Sequence, residues 1–177
     1  MYIKPIERQA VLAILKRFEV KDGVIVYKIN FNRSKAGDTA GTWVKNRMHI
    51  QVLGERYVSN RVAWVIHHGV DPGVDFEVDH KDRNPLNNSK DNLRLACHGQ
   101  NQSNTCGRGY HWDKSRNKWQ TNIWHANKRT SRRFDTEEEA RAYYLETKLK
   151  NTGDFCPEEV RQALNALQDA VDKTCSA

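Results

Sequence analysis

Glu77-Val78-Asp79-His80-Lys81 opens a segment that decides how the chain is read: a turn-rich stretch follows to Ser89, Asn92 stands twelve residues after the histidine, and Asn101 comes nine residues later. A one-metal phosphodiester hydrolase needs a hard-cation ligand, a base for the attacking water and a group that fixes the tautomer of that base. These residue types supply all three. Asp79 and the carbamoyl oxygen of Asn101 can hold one Mg2+ or Mn2+ ion, and His80 can take the proton. Neighbouring strand residues point to opposite faces, so Asp79 and His80 share a site only where the strand ends or bends. The stretch from Lys81 to Ser89 is expected to provide that bend.

Working outward, the order is strand at Val78, long loop, strand from Leu93 to Ala96, and a helix from His98 to Thr105 that sets Asn101 against the first strand. The run from Val78 to Ala96 and the following Gln100-Asn101-Gln102-Ser103-Asn104 resemble the HNH homing endonucleases typical of bacteriophages and mobile introns. The likeness extends upstream through Gly23 to Lys28, Ala36 to Gly41 and Arg61 to Trp64, covering roughly residues 20 to 105. It implies a ββα-metal nuclease finger in which Asp79 and Asn101 are metal ligands, His80 is the general base and Asn92 orients that base. The last letter of the pattern is asparagine here, which bears on metal affinity. The expected substrate is double-stranded DNA.

Before the finger, residues 5 to 18 place Ile6, Ala10, Val11, Ile14, Leu15 and Phe18 on one side of a lead-in helix. Gly23 to Tyr57 reads as short strands, with a hairpin turn at Leu53-Gly54-Glu55-Arg56. Ser59 is expected to cap a helix that Gly69 ends.

Residues 107 to 150 change character. Three strands, Gly109 to Lys114, Lys118 to Trp124 and Arg129 to Phe134, precede a helix whose Thr136 and Glu139 make a capping box. Lys118-Trp119 and Phe134-Asp135-Thr136-Glu137-Glu138-Glu139-Ala140 resemble the Apetala-type DNA-binding domain of plant ethylene-response factors. Between 107 and 134, eight basic residues face one acid, Asp113: Arg108, Lys114, Arg116, Lys118, Lys128, Arg129, Arg132 and Arg133. Such a run is commonly a solvated face. Strand alternation would gather several of these cations beside Trp112, Trp119 or Trp124, on a ribbon able to enter a major groove. Trp119 is the tryptophan expected in the core.

The expected class is therefore α+β: an HNH finger in residues 1–106, a small three-stranded antiparallel sheet with a helix in 107–150, and a C-terminal helix in 151–177. In that last helix, Val160, Leu164, Leu167 and Val171 form a stripe expected to pack on the chain's own surface.

Composition fits this reading. The 177 residues carry a net charge of +7 and a pI near 9.3, which favours an anionic partner through counterion release. No stretch approaches the roughly 20 apolar residues of a membrane span, and the N-terminus lacks the apolar core of a signal peptide. A cytoplasmic monomer without membrane contact is expected. Cys97, Cys106, Cys156 and Cys175 contain no Cys-x-x-Cys pair and read as free thiols. A zinc set of Cys97, His98, Cys106 and His111 has no standard spacing. A DNA-binding regulator with an inactive HNH scaffold is the competing reading from another class, and an RNA-directed protein fits the charge but finds no dedicated motif.

Overall fold

The computed structural model describes residues 4–104, 107–125 and 128–175. The chain forms two compact units, Met1–Asn101 and Gln102–Ala177, built from small antiparallel sheets and helices.

In the first unit, α1 (Arg8–Arg17) buries Ala10 and Ile14. The apolar stripe ends one residue earlier than the sequence suggests, because Phe18 leaves the helix and starts β1 (Phe18–Lys21). Its N–H still bonds the Ile14 carbonyl while its backbone is extended, and its ring meets Tyr27 at 5.1 Å. β1 pairs with β2 (Val24–Tyr27) through a two-residue turn. Both turn residues have positive φ, 51° at Asp22 and 78° at Gly23, which suits the right-handed twist of a hairpin.

A meander follows, β3 (Thr42–Val44), β4 (Arg47–Val52) and β5 (Glu55–Val58). The Leu53-Gly54 turn, with φ of 50° and 85°, joins the last two strands. α2 (Ser59–His68) continues directly from β5. Ser59 is not its cap: Val58 occupies that position without a side-chain bond, and Ser59 is a buried first-turn residue. With no loop between strand and helix, the first turn lies inside the unit. Gly69 ends α2 at φ 74°, its N–H on the Val65 carbonyl. Ile14, Ile50, Val52, Val62 and Val65 form the fully buried centre, and Trp64 packs at its margin, stacked on His68.

α2 also fixes what comes next. The buried guanidinium of Arg61 donates to both carboxylate oxygens of Asp71, at 2.8 and 2.6 Å, and to the carbonyls of Gly73 and Phe76. Asn60 donates to the Val78 carbonyl at 2.6 Å. One turn of helix thus grips the segment that leads into β6 (Glu77–His80), which pairs antiparallel with β7 (Leu93–Ala96) before α3 (His98–Ser103).

In the second unit, β8 (Tyr110–Asp113), β9 (Lys118–His125) and β10 (Lys128–Phe134) make an antiparallel sheet with β9 in the middle. α4 (Glu137–Thr152) begins with the capping box, Thr136 accepting from the Glu139 N–H and the Glu139 carboxylate from the Thr136 N–H. α5 (Glu158–Cys175) closes the chain. Ile123, Tyr144, Leu145, Cys156, Val160 and Leu164 share one core, so the first half of the C-terminal stripe packs within this unit. Gly109 is required there. A Cβ at that position would overlap the Tyr144 ring, and φ is +70°.

Among the described residues no helix is long and apolar enough to cross a membrane.

Candidate active site

The β6–β7 ribbon sorts its side chains by register. Asp79 lies opposite Arg94 and Glu77 opposite Ala96, while Val78 pairs with Leu95 and His80 with Leu93. Alternation therefore puts Glu77, Asp79 and Arg94 on one face and His80 on the other, with Val78, Leu93 and Leu95. β6 does not end between Asp79 and His80, as the sequence suggested. It runs through His80, and Lys81 extends the pairing by donating to the Asn92 carbonyl at 2.8 Å. The chain then turns, with Arg83 at φ 61°.

Asp79 is buried, and its Oδ2 receives both Nε and Nη2 of Arg94 at 2.9 Å. Two residues back, Glu77 meets α3. Its Oε1 accepts from His98 Nδ1 at 2.8 Å and its Oε2 from the Asn101 amide nitrogen. Burial pushes the Glu77 carboxyl up, but the hydrogen bonds from Asn101 and His98 outweigh it, with help from the charges of His98 and Arg47. The net result lies below the ordinary glutamate value. Because the Asn101 nitrogen is committed to Glu77, its oxygen is the atom left to act as a ligand. The donor set fits a hard divalent cation: one carboxylate and one amide oxygen, both hard, leaving most of the coordination shell to water and phosphate.

On the other side, His80 Nε2 stands 3.2 Å from Asn88 Oδ1. Asn92, expected to supply that oxygen, is used otherwise. Its Oδ1 accepts from the Asp82 N–H at 3.0 Å, and its Nδ2 donates to Asp82 Oδ1 at 2.9 Å and to the Asn87 carbonyl at 2.7 Å. Asn92 is thus a staple of the loop. Asp82 is the centre of that staple, also accepting from the Asn84 N–H and the Asn87 amide. Burial raises its carboxyl, the Asn84, Asn87 and Asn92 donors and nearby His80 outweigh this, and the group is held below its ordinary range.

Sequence reasoning missed Glu77, Arg94 and Asn88. The signal for the first two was present in strand alternation, which places residues two apart on one face and opposite residues in contact. No comparable signal separates Asn88 from its neighbours, since any of these asparagines satisfies turn chemistry.

Of the zinc set weighed against free thiols, Cys106 lies outside the described residues. Among those described, no group of three or more His, Cys, Asp or Glu gathers, and Cys97 and Cys156 are free thiols.

The eight basic residues of the second unit do not share one face. Arg129 and Arg133 lie opposite Trp124 and Gln120, on the sheet face that also carries Asn122 and Ser131. Bonds across that face confirm the alternation: Arg129 donates to Asn122, and Gln120 to Ser131 at 2.5 Å. Trp124 is 70% exposed there. The opposite face meets α4 through buried Thr121 and Ile123. Arg132 belongs to that side, its guanidinium 5.0 Å from the Tyr143 ring centre. Arg108 pairs with Glu137 and lies over Tyr110, Lys118 pairs with Asp135, and Arg116 with Asp113. Lys114 is exposed in the turn between β8 and β9, and Lys128 is exposed at the start of β10. Trp119 is half-buried and edge-on to both Tyr110 and Trp112, so it is part of an aromatic cluster at the sheet margin.

Residues 57–103, from the end of β5 through α3, match the family model described as HNH endonuclease. The match supports a nuclease acting on DNA, and HNH nucleases generally use divalent metal ions. No curated protein and no solved structure matches the chain.

Proposed function

We propose that this protein is a metal-dependent HNH endonuclease that hydrolyses one phosphodiester bond of duplex DNA per binding event, with His80 as the base and Asp79 and Asn101 as the ligands of one Mg2+ or Mn2+ ion. The observation that carries the reading is the family match at residues 57–103 together with the side-chain order around it. Glu77 takes the Asn101 amide nitrogen on one face of the ribbon, Asp79 stands two residues along that face, and His80 leaves the same strand on the other side.

His80 takes a proton from the water that attacks phosphorus. The P–O3′ bond breaks as the new P–O bond forms, and the departing 3′ oxygen takes a proton from solvent water and leaves as the hydroxyl. The cation, when bound, neutralises charge on the phosphate and the leaving oxygen. Arg94, paired to Asp79 on the metal-binding face, adds positive charge where phosphate would approach. One site per chain favours a nick over a double-strand break.

The second unit supplies the grip. Arg129 and Arg133, on the open face with Gln120, Asn122 and Trp124, present the donors that major-groove edges and phosphates accept. We extend the reading to an Apetala-type DNA-binding module and to the homing nucleases of phages and mobile introns, on the motif resemblance alone.

Conversion of supercoiled plasmid to open circle on adding Mg2+ tests the proposal. Nicking that chelation abolishes is expected. Tight duplex binding with no cleavage under Mg2+ or Mn2+ would overturn it in favour of a DNA-binding regulator.

A further inference from the structure

We infer that Asn88, held by the N-terminal hairpin, positions His80 for proton abstraction through Nδ1. The inference rests on the reading of His80 as the base and names the device that sets its tautomer.

Asn88 is buried, with 4% exposure, and three parts of the first unit hold it. Its N–H donates to the Gly23 carbonyl in the β1–β2 turn at 2.8 Å. Its own carbonyl accepts from His67 Nε2, near the end of α2, at 2.9 Å. Its amide nitrogen points to the Leu86 carbonyl at 3.5 Å, which leaves Oδ1 facing His80 Nε2 at 3.2 Å. An amide oxygen cannot donate, so the hydrogen of that contact belongs to Nε2. A neutral imidazole protonated on Nε2 carries its lone pair on Nδ1, and Nδ1 is then the nitrogen that accepts the proton from water.

The other nearby asparagines cannot substitute. Asn92 is tied to Asp82 and Asn87, while Asn87 gives its nitrogen to Asp82 and its oxygen to Ser89. Gly23 adds an independent constraint. A Cβ there would lie 2.9 Å from Asn87 Oδ1, 3.4 Å from Asn87 Cα and 3.6 Å from Asn88 N, and φ is +78°. Bulk at Gly23 therefore pushes directly on the segment that carries Asn88. Gly23 lies well before residue 57, where the family match begins. The lead-in hairpin is thus part of the machinery that orients the base.

The test uses the full chain labelled with 15N-histidine, free of DNA and metal, at alkaline pH. Long-range proton–nitrogen correlations, with His80 assigned by its loss in His80→Gln, should show hydrogen on Nε2. Asn88→Leu should give a mixture of tautomers and lower kcat about 100-fold, the low end of what a general base supplies. KM for DNA and the Mg2+ concentration at half-maximal rate should stay unchanged. Asn88→Asp, whose carboxylate also only accepts, should keep the Nε2–H form and recover most of the rate. Should Asn88→Leu fail to fold, the Asn88→Asp spectrum and Gly23→Ala, expected to shift the His80 resonances and slow kcat in the same sense, still decide. Hydrogen on Nδ1 in the wild type, or an unchanged tautomer in Asn88→Leu, overturns the inference even if the protein nicks DNA. A wild type that shows the Asn88-dependent Nε2–H form but never nicks overturns the nuclease reading instead.

Discussion

The ribbon of β6 and β7 and the three-stranded sheet of the second unit are both antiparallel, yet they treat polar side chains in opposite ways. In the ribbon and its loop, the carboxylates of Glu77, Asp79 and Asp82 all have internal partners, on β7, on α3 and within the loop. In the sheet, the cations of the open face are exposed, Arg129 bonded only to the neutral Asn122 among the contacts described, and the ion pairs, such as Lys118 with Asp135, lie at the exposed rim. Bond hydrolysis requires groups fixed before the substrate arrives. Holding a polyanion requires charge whose ends can adjust to it. On the function proposed above, the difference would separate a site built for chemistry from a surface built for attachment.

The largest expected effect breaks the comparison at its centre. His80→Ala should lower the cleavage rate by at least about 100-fold while leaving DNA affinity near that of the wild type, because the role proposed for His80 is to move a proton and not to hold the duplex. Nicking assays and binding isotherms on the same preparation check this, and equal rates would remove His80 from the mechanism.

Next in size is stability. Arg61→Ala should destabilise the first unit by about 3–5 kcal/mol, since it leaves the buried Asp71 carboxylate without its partner. Lys118→Ala, which breaks an exposed pair in the second unit, should cost about 0–1 kcal/mol. Denaturant unfolding of both variants measures the contrast, and similar losses would show that the two regions are not organised differently.

Attachment should respond to salt. Replacing Arg133, exposed on the open face, should reduce the slope of log affinity against log salt by about one unit. Replacing Arg132, stacked over Tyr143 on the helix side, should leave that slope closer to wild type. A larger change for Arg132 would move the DNA-facing surface to the other side of the sheet.

The smallest effect concerns acid. Glu77 and Asp82 both have folded values below their unfolded ones. Groups shifted this way contribute stability that is present above the unfolded pKa and lost as pH falls through the folded one. Unfolding of the first unit should therefore become easier below about pH 4, and Asp82→Asn should flatten that dependence. A pH-independent midpoint over this range in the wild type would mean that the loop staple adds nothing.

Much of this architecture was legible from the chain. β7 falls at Leu93–Ala96 and the capping box at Thr136 and Glu139, because short apolar alternation and S/T-x-x-E spacing are local signals. Phe18 was harder to place. It continues the helical stripe of α1, and only its pairing with Tyr27 across the hairpin draws it into a strand. The partner of His80 was not readable for a related reason. Spacing locates a backbone, whereas the choice between Asn88 and Asn92 depends on which amide the Asp82 carboxylate captures. The tryptophans show the same limit: alternation predicts that cations and rings share faces, but which face α4 covers is decided by the burial of Thr121 and Ile123.

The placement of those tryptophans gives the second unit an optical readout of its own. Trp124, 70% exposed and opposite Arg129, emits from a water-like environment on the face proposed to meet DNA. Trp119 is shielded edge-on between Tyr110 and Trp112. Iodide should quench Trp124 far more readily than Trp119, and a bound duplex should protect it. Loss of that protected fraction in Trp124→Phe would let fluorescence follow attachment on the time scale of a stopped-flow experiment, separately from the cut.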